Sequence, residues 1–198
     1  MDAIELLLQR QSTPVLTEPA PNETDLTTLL SAGMRVPDHG GLKPWHFHVI
    51  TGQGLQRLSD LYVEATTIKL ANQTGLLEGT SMDEQAVNEK MAKVAKMSFR
   101  APMIIVISTQ YVEHNKVPLQ EQLITAGCCA HAMQMAAFSL GYGAMWRTGD
   151  LAYNETVKQG LGLEAGNDIA GFLYIGTPKK ECNTKPAKDY QDNVTYWQ

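Results

Sequence analysis

Apolar side chains along this chain repeat with two different periods, and each change of period marks an element boundary. Ile4, Leu7 and Leu8 fall at helical spacing and Pro14 stops any continuation, which predicts a short helix over residues 2–11 that delivers Arg10, Gln11 and Ser12 to its end. Beyond the linker Pro19-Ala20-Pro21-Asn22, a second helix is expected. Asn22 or Thr24 would cap it, Leu26, Leu29, Leu30 and Met34 would be its buried stripe, and it stops by Pro37. The period then drops to two. Trp45, Phe47 and Val49 alternate with His46, His48 and Ile50, which predicts a strand with the two sets on opposite faces. Amphipathic helices follow from Leu55 to about Asn72 and from Asp83 to about Met97, and the intervening residues 73–82, with Gly75 and Gly79, are expected to be a loop and the candidate substrate lid.

Met103-Ile104-Ile105-Val106-Ile107-Ser108 is a continuous apolar run, the pattern of a central strand covered on both faces. From about Leu119 to Leu140 the chain is apolar almost all round, which predicts a deeply buried helix ending at Gly141-Tyr142-Gly143. Two more strands are expected at Ala144–Arg147 and Gly171–Gly176, with a short helix around Asn154 to Leu161 between them. The tail after Pro178 is polar yet ends in Tyr196 and Trp197, as an arm laid over another surface would. These elements make one α+β domain over residues 1–198: a sheet sandwiched by helices around one apolar central helix.

Charge narrows the range of partners. Lys and Arg number 16 against 21 Asp and Glu, a net charge of −5, and no basic run exceeds Lys179-Lys180, so neither nucleic acid nor an anionic membrane surface is expected as a partner. The apolar stretch from Ile124 to Leu140 is broken by Thr125, His131, Gln134 and Ser139, and reads as a buried helix instead of a membrane span. Three cysteines, two of them adjacent, suit a reducing compartment, and the acidic opening Met1–Glu5 does not resemble a secretory leader, so the cytoplasm is the expected location.

Candidate chemistry is sparse. Gly141-Tyr142-Gly143 follows a helix where a dinucleotide fingerprint must follow a strand, so it reads as a helix stop. His46 and His48 share a strand face, but no third ligand is evident and no metal site is expected. Ser12, Ser98 and Cys128 lack the contexts that activate nucleophiles. Three arginines, Arg10, Arg35 and Arg147, stand at element edges, where guanidinium forks suit phosphate or the polar edge of a heterocycle.

Several segments together resemble one family. Ala32-Gly33-Met34-Arg35-Val36-Pro37-Asp38-His39 followed by Pro44-Trp45-His46-Phe47-His48 is similar to a segment of the FMN-dependent nitroreductases, closest to their minimal members. The opening residues with Arg10-Gln11-Ser12, the turn Gly141-x-Gly143-x-x-Trp146-Arg147 and the stretch Gly171–Pro178 agree in order, so the resemblance covers nearly the whole chain. It implies a mostly antiparallel central sheet sandwiched by helices and a homodimer interlocked through long helices, with one FMN in each of two interfacial clefts. It also implies that Arg10, Gln11 and Ser12 hold the phosphate end of FMN, that Arg35 and His39 lie near the polar parts of the flavin, and that Trp146, Arg147 and Thr148 close the site. Ala136, Ala137, Phe138, Ser139, Leu140 and Gly141 become the candidate NADPH or NADH contact. Thr13 and Pro14 follow Ser12 where many relatives carry a further basic residue, and Gly41 and Lys43 stand where larger members have Asn and Gln.

The implied activity is reduction of nitroaromatic or quinone-like small-molecule acceptors by ping-pong hydride transfer through flavin N5, with no catalytic side chain strictly required. The competing expectation is an FMN carrier or sensor with incidental turnover.

Overall fold

In the computed structural model, which describes residues 2–76, 83–180 and 183–198, strand β3 (Met103–Thr109) lies in the middle of the sheet with all seven residues buried. Strand β2 (Trp45–Thr51) pairs antiparallel along one edge, from Trp45 opposite Thr109 to Thr51 opposite Met103. Along the other edge runs β5 (Ile169–Pro178), also antiparallel, with a bulge between Ile107 and Ser108. The far edge of β5 carries β4 (Gly143–Arg147), and its end pairs with the two-residue β1 (Leu16–Thr17). The fold is α+β, as the periodicity predicts, and its central sheet is antiparallel, as the family resemblance implies.

Successive strand side chains point to opposite faces, so β3 feeds two cores. Met103, Ile105 and Ile107 join Leu173, Ile175, Leu29 and Met133 beneath α2 (Glu23–Gly33) and α5 (Leu119–Ser139). Ile104 and Val106 join Phe172, Tyr174, Leu58 and Tyr62 beneath α3 (Gln53–Leu76), α4 (Glu84–Ala95) and α6 (Glu155–Gly160). Each fully buried isoleucine contributes roughly 1.5–3 kcal/mol, enough to make β3 the anchor of both layers. Side-chain caps start the helices: Asp2 for α1 (Ala3–Gln9), Asn22 for α2, Asp83 for α4 and Asn154 for α6.

Three boundaries differ from expectation. The first helix stops at Gln9, because Arg10 turns extended at ψ 130°. Helix α3 continues to Leu76, so the expected lid begins inside a helix; residues 77–82, the remainder of that segment, lie outside the described residues. The strand β1 had no sequence signal. The tail from residue 183 onward is exposed, Trp197 to 95%. Among the described residues no helix is long and apolar enough to cross a membrane.

Candidate functional site

The residue after the Arg10-Gln11-Ser12 segment is tied to the sheet. Thr13 donates its backbone N–H to Ala144 of β4 at 2.9 Å, and it packs so closely on Gly143 that a Cβ there would meet the Thr13 Cβ at 2.9 Å and Leu16 Cδ2 at 2.6 Å. Arg10, Gln11 and Ser12 therefore leave α1 in extended form beside the start of β4. The tail returns over them, with Gln11 Nε2 donating to the Asn183 carbonyl at 2.9 Å. Lys185 and Lys188 then join Arg10, Gln11 and Ser12 around a cavity of about 650 Å³ with Leu7 and Leu8 as its apolar wall. Its described lining contains three cations and no carboxylate. The two lysines carry no periodic signal; their only hint in the sequence is the basic character of Lys185-Pro186-Ala187-Lys188 after the last strand.

Of the two residues expected near the polar parts of the flavin, His39 lies elsewhere, while Arg35 follows α2, whose Gly33 packs on Met133 of α5. His39 Nδ1 pairs with Glu121 Oε2 at 2.7 Å, in the first turn of α5. The Arg10 segment instead sits at the other end of that helix, because Ala144 also accepts from Gln134 Nε2 at 3.2 Å. Thirteen residues of helix separate Glu121 from Gln134, an axial rise of about 20 Å. One chain thus places His39 and the Arg10 segment towards opposite ends of α5.

Trp146 and Arg147 are neighbours in β4 and so face opposite sides of the sheet. The Trp146 indole lies against Gly127 of α5 and donates to the Ala170 carbonyl at 3.1 Å. The Arg147 guanidinium lies 5.6 Å from the centre of the Tyr174 ring, in the layer beneath α3 and α4. Its Nε is buried and has no hydrogen-bond partner among the described residues. Burial and the nearby Arg100 push its pKa below the ordinary arginine value. Thr148, just beyond the strand, is exposed and borders a second cavity with Lys69, Lys90 and Asp150.

The Ala136–Gly141 segment splits as well. Ala137 is fully buried in the core and Ala136 packs on that core, so burial removes the Ala137 side chain from the expected nucleotide contact, while Ser139, Leu140 and Gly141 are exposed at the helix end. His46 and His48 do share a face, with ring centroids 4.7 Å apart, and His48 Nε2 lies 3.3 Å from Ser108 Oγ. Cys129 is buried, and burial pushes its thiol up to about 12.

Along α5 the outward face is strongly apolar. Ile124 is 65% exposed, and with Leu123, Gly127, Cys128 and Trp146 it borders an apolar cavity of about 620 Å³.

Residues 7–177 match the Nitroreductase family. The chain belongs to the nitroreductase family. Over 198 residues, the full length of both chains, it is 41% identical to "Putative NAD(P)H nitroreductase YdjA" of Escherichia coli (strain K12). Among solved structures, the nitroreductase-like family protein from Bacillus cereus superposes with a TM-score of 0.81 at 20% identity, covering 100% of this chain and 97% of that one. The FMN and NADPH-dependent nitroreductase NfnB from Sphigopyxis sp. strain HMH superposes at 0.73 with 20% identity, covering 100% and 99%. Membership of the nitroreductase family makes this chain an oxidoreductase.

Proposed function

We propose that this nitroreductase-family enzyme binds FMN and uses NADPH or NADH to reduce nitroaromatic or quinone-like acceptors, working in the cytoplasm as a homodimer with its flavin sites at the subunit interface. The observation that carries the reading is the cavity at the end of α1. Arg10, Lys185 and Lys188 supply three positive charges there, Ser12 and Gln11 supply donors, and Leu7 and Leu8 supply an apolar wall, which together fit a phosphate monoester attached to a larger body. The tail lysines provide the basic partner that Thr13 and Pro14 do not.

Bound FMN supplies a hydride acceptor at N5 and an electron donor for the second substrate, which gives ping-pong kinetics. The protein binds and shapes. Arg10 and the tail lysines neutralise the phosphate; Trp146, fixed by Ala170, presents an indole wall on the α5 side; Thr148 borders the far end of β4, about 13 Å from Gly143. Arg147 acts from the opposite face, holding the end of β4 against Tyr174. Ser139, Leu140 and Gly141 remain the accessible candidates for the nicotinamide nucleotide.

Two observations support the dimer. A seven-residue helix α1 with Ile4, Leu7 and Leu8 exposed is too short to stand without cover, and α5 shows Leu123 and Ile124 to solvent along the same molecule. A second copy with its α5 antiparallel to the first would cover both faces and carry its own His39 across the 20 Å of helix to the Arg10 cavity.

The test is the visible spectrum of FMN-loaded protein under anaerobic conditions. NADPH should bleach the flavin bands within seconds and a nitroaromatic acceptor should restore them. Protein that ignores FMN, or bound flavin that NADPH bleaches no faster than free FMN, would sink the proposal.

A further inference from the structure

The end of α2 and the start of β2 meet through a sulfur atom. Trp45 is 6% exposed, and its indole N–H donates to the Met34 thioether, with Nε1 3.1 Å from Sδ. A buried indole needs a partner, but a thioether is a weak acceptor, so this donor gains from any stronger acceptor placed there. Met34 is 47% exposed, whereas Met103 and Met133 are 3% and 0% exposed, so its side chain reaches from the buried indole out to solvent. Neither end of the contact can retreat. Gly33 leaves no room for even a Cβ against Met133 Cε of α5, and the Met34 N–H is bonded to the Leu30 carbonyl at 3.1 Å. Trp45 stands in register opposite Thr109 of β3, with its own backbone N–H on the Lys43 carbonyl at 2.8 Å.

We propose that Met34 is a modification site: hydrogen peroxide converts its thioether to the sulfoxide, and the Trp45 indole N–H passes from the sulfur to the new oxygen. A sulfur lone pair attacks one peroxide oxygen, and the S–O bond forms as the O–O bond breaks. The transferred hydroxyl gives up its proton, and the departing hydroxide takes one and leaves as water. Sulfur is thereby oxidised by two electrons and peroxide is reduced. The indole engages one of the two lone pairs on sulfur, which leaves the other for the attack. The sulfoxide oxygen then gives Trp45 the strong acceptor that sulfur is not, while an apolar side chain has become a polar one. Arg35 follows Met34 directly, so the last turn of α2 takes up the change. The inference rests on the flavin-enzyme reading only for the source of peroxide, which a reduced flavin makes when it meets O2 in place of an acceptor.

The experiment exposes FMN-loaded protein to dilute hydrogen peroxide and follows two signals. Peptide mass mapping reads the oxygen gained at each methionine, and nuclear magnetic resonance reads the indole N–H protons of the three tryptophans. Trp45→Phe identifies the Trp45 resonance; should that variant fail to fold, Trp146→Phe and Trp197→Phe identify it by elimination. Met34 should gain one oxygen before Met103 and Met133 do. The Trp45 resonance should move with the same time course, and methionine sulfoxide reductase should restore both signals. In Met34→Leu, a swap of similar volume, the resonance should hold its position throughout the same treatment. Oxidation of Met34 no faster than of Met103 and Met133, Met34 sulfoxide without movement of the Trp45 resonance, or equal movement in Met34→Leu would each overturn the proposal. Excess NADPH in air, with and without catalase, tests the source separately. Sulfoxide at Met34 that catalase prevents supports the flavin as the source. Sulfoxide with added peroxide but none with NADPH in air upholds the modification site and overturns its link to the flavin.

Discussion

A single methyl group at Gly143 should push the phosphate cradle off the sheet. In Gly143→Ala the new Cβ would stand 2.9 Å from the Cβ and Cγ2 of Thr13 and 2.6 Å from Leu16 Cδ2. Leu16 ends in a flexible branch and can turn aside. Thr13 cannot, because it is buried and its N–H is bonded to the Ala144 carbonyl at 2.9 Å, so the backbone carrying Arg10, Gln11 and Ser12 has to move. Overpacking of this kind costs about 1–3 kcal/mol, and stretching the Thr13 hydrogen bond costs about 1 more. The lower chain entropy of unfolded Ala offsets roughly 0.5–1 kcal/mol, which leaves a net destabilisation of about 1–3 kcal/mol. Movement of the cradle should raise the FMN Kd by about tenfold, equivalent to 1.4 kcal/mol. Urea unfolding of the apoprotein and fluorescence titration with FMN read the two effects. Gly162→Ala is the control: φ is +77° with open space around it, so it should cost about 1–2 kcal/mol of stability and leave the FMN Kd alone. Lost stability in Gly143→Ala with an FMN Kd within twofold of native would refute the link between Thr13 and the cradle.

Three further outcomes are expected. Substituting Lys185 and Lys188 together by Ala should weaken FMN retention by about tenfold at low salt and by less at high salt, because partly exposed ion pairs are screened; equilibrium dialysis at two ionic strengths checks it. Ile124→Glu, a charge on the exposed apolar face of α5, should convert the proposed dimer to a monomer at micromolar concentration, seen by sedimentation velocity. Burial first and His46 second lower the pKa of His48 below 6.5, so the folded state resists a proton that the unfolded chain accepts below that value. Stability should therefore fall between pH 7 and pH 5, and His48→Gln should flatten the fall; an identical pH profile in the variant would remove His48 as its cause.

Elements with a strong period were legible from the residues alone. The β-branched run became β3, the apolar stretch became α5, and the alternation from Trp45 to Ile50 put Phe47 in one core and Ile50 in the other. Helix α3 outran its signal because Gln73, Thr74 and Gly75 add no apolar face and glycine reads as a stop, although it costs only about 1 kcal/mol inside a helix. The candidate site was legible in pieces. Arg10, Gln11 and Ser12 were reached through resemblance, but Lys185 and Lys188 come from an aperiodic tail that folds back over 170 residues of chain. Nothing local reveals that His39 and Ser12 sit at opposite ends of one helix; that is a property of how α2 and α5 pack. The opposed faces of Trp146 and Arg147, in contrast, follow from strand alternation once residues 143–147 are known to pair with β5.

The central claim is that one flavin site draws on two copies of the chain, and mixing tests it most directly. Apoprotein of Arg10→Ala and of His39→Ala should each retain little FMN alone. After subunit exchange, half of the pairs are hybrids with one fully native site, so about a quarter of all sites should regain native FMN affinity. A mixture that binds no more FMN than its two components separately would place the whole site within one chain and contradict the account.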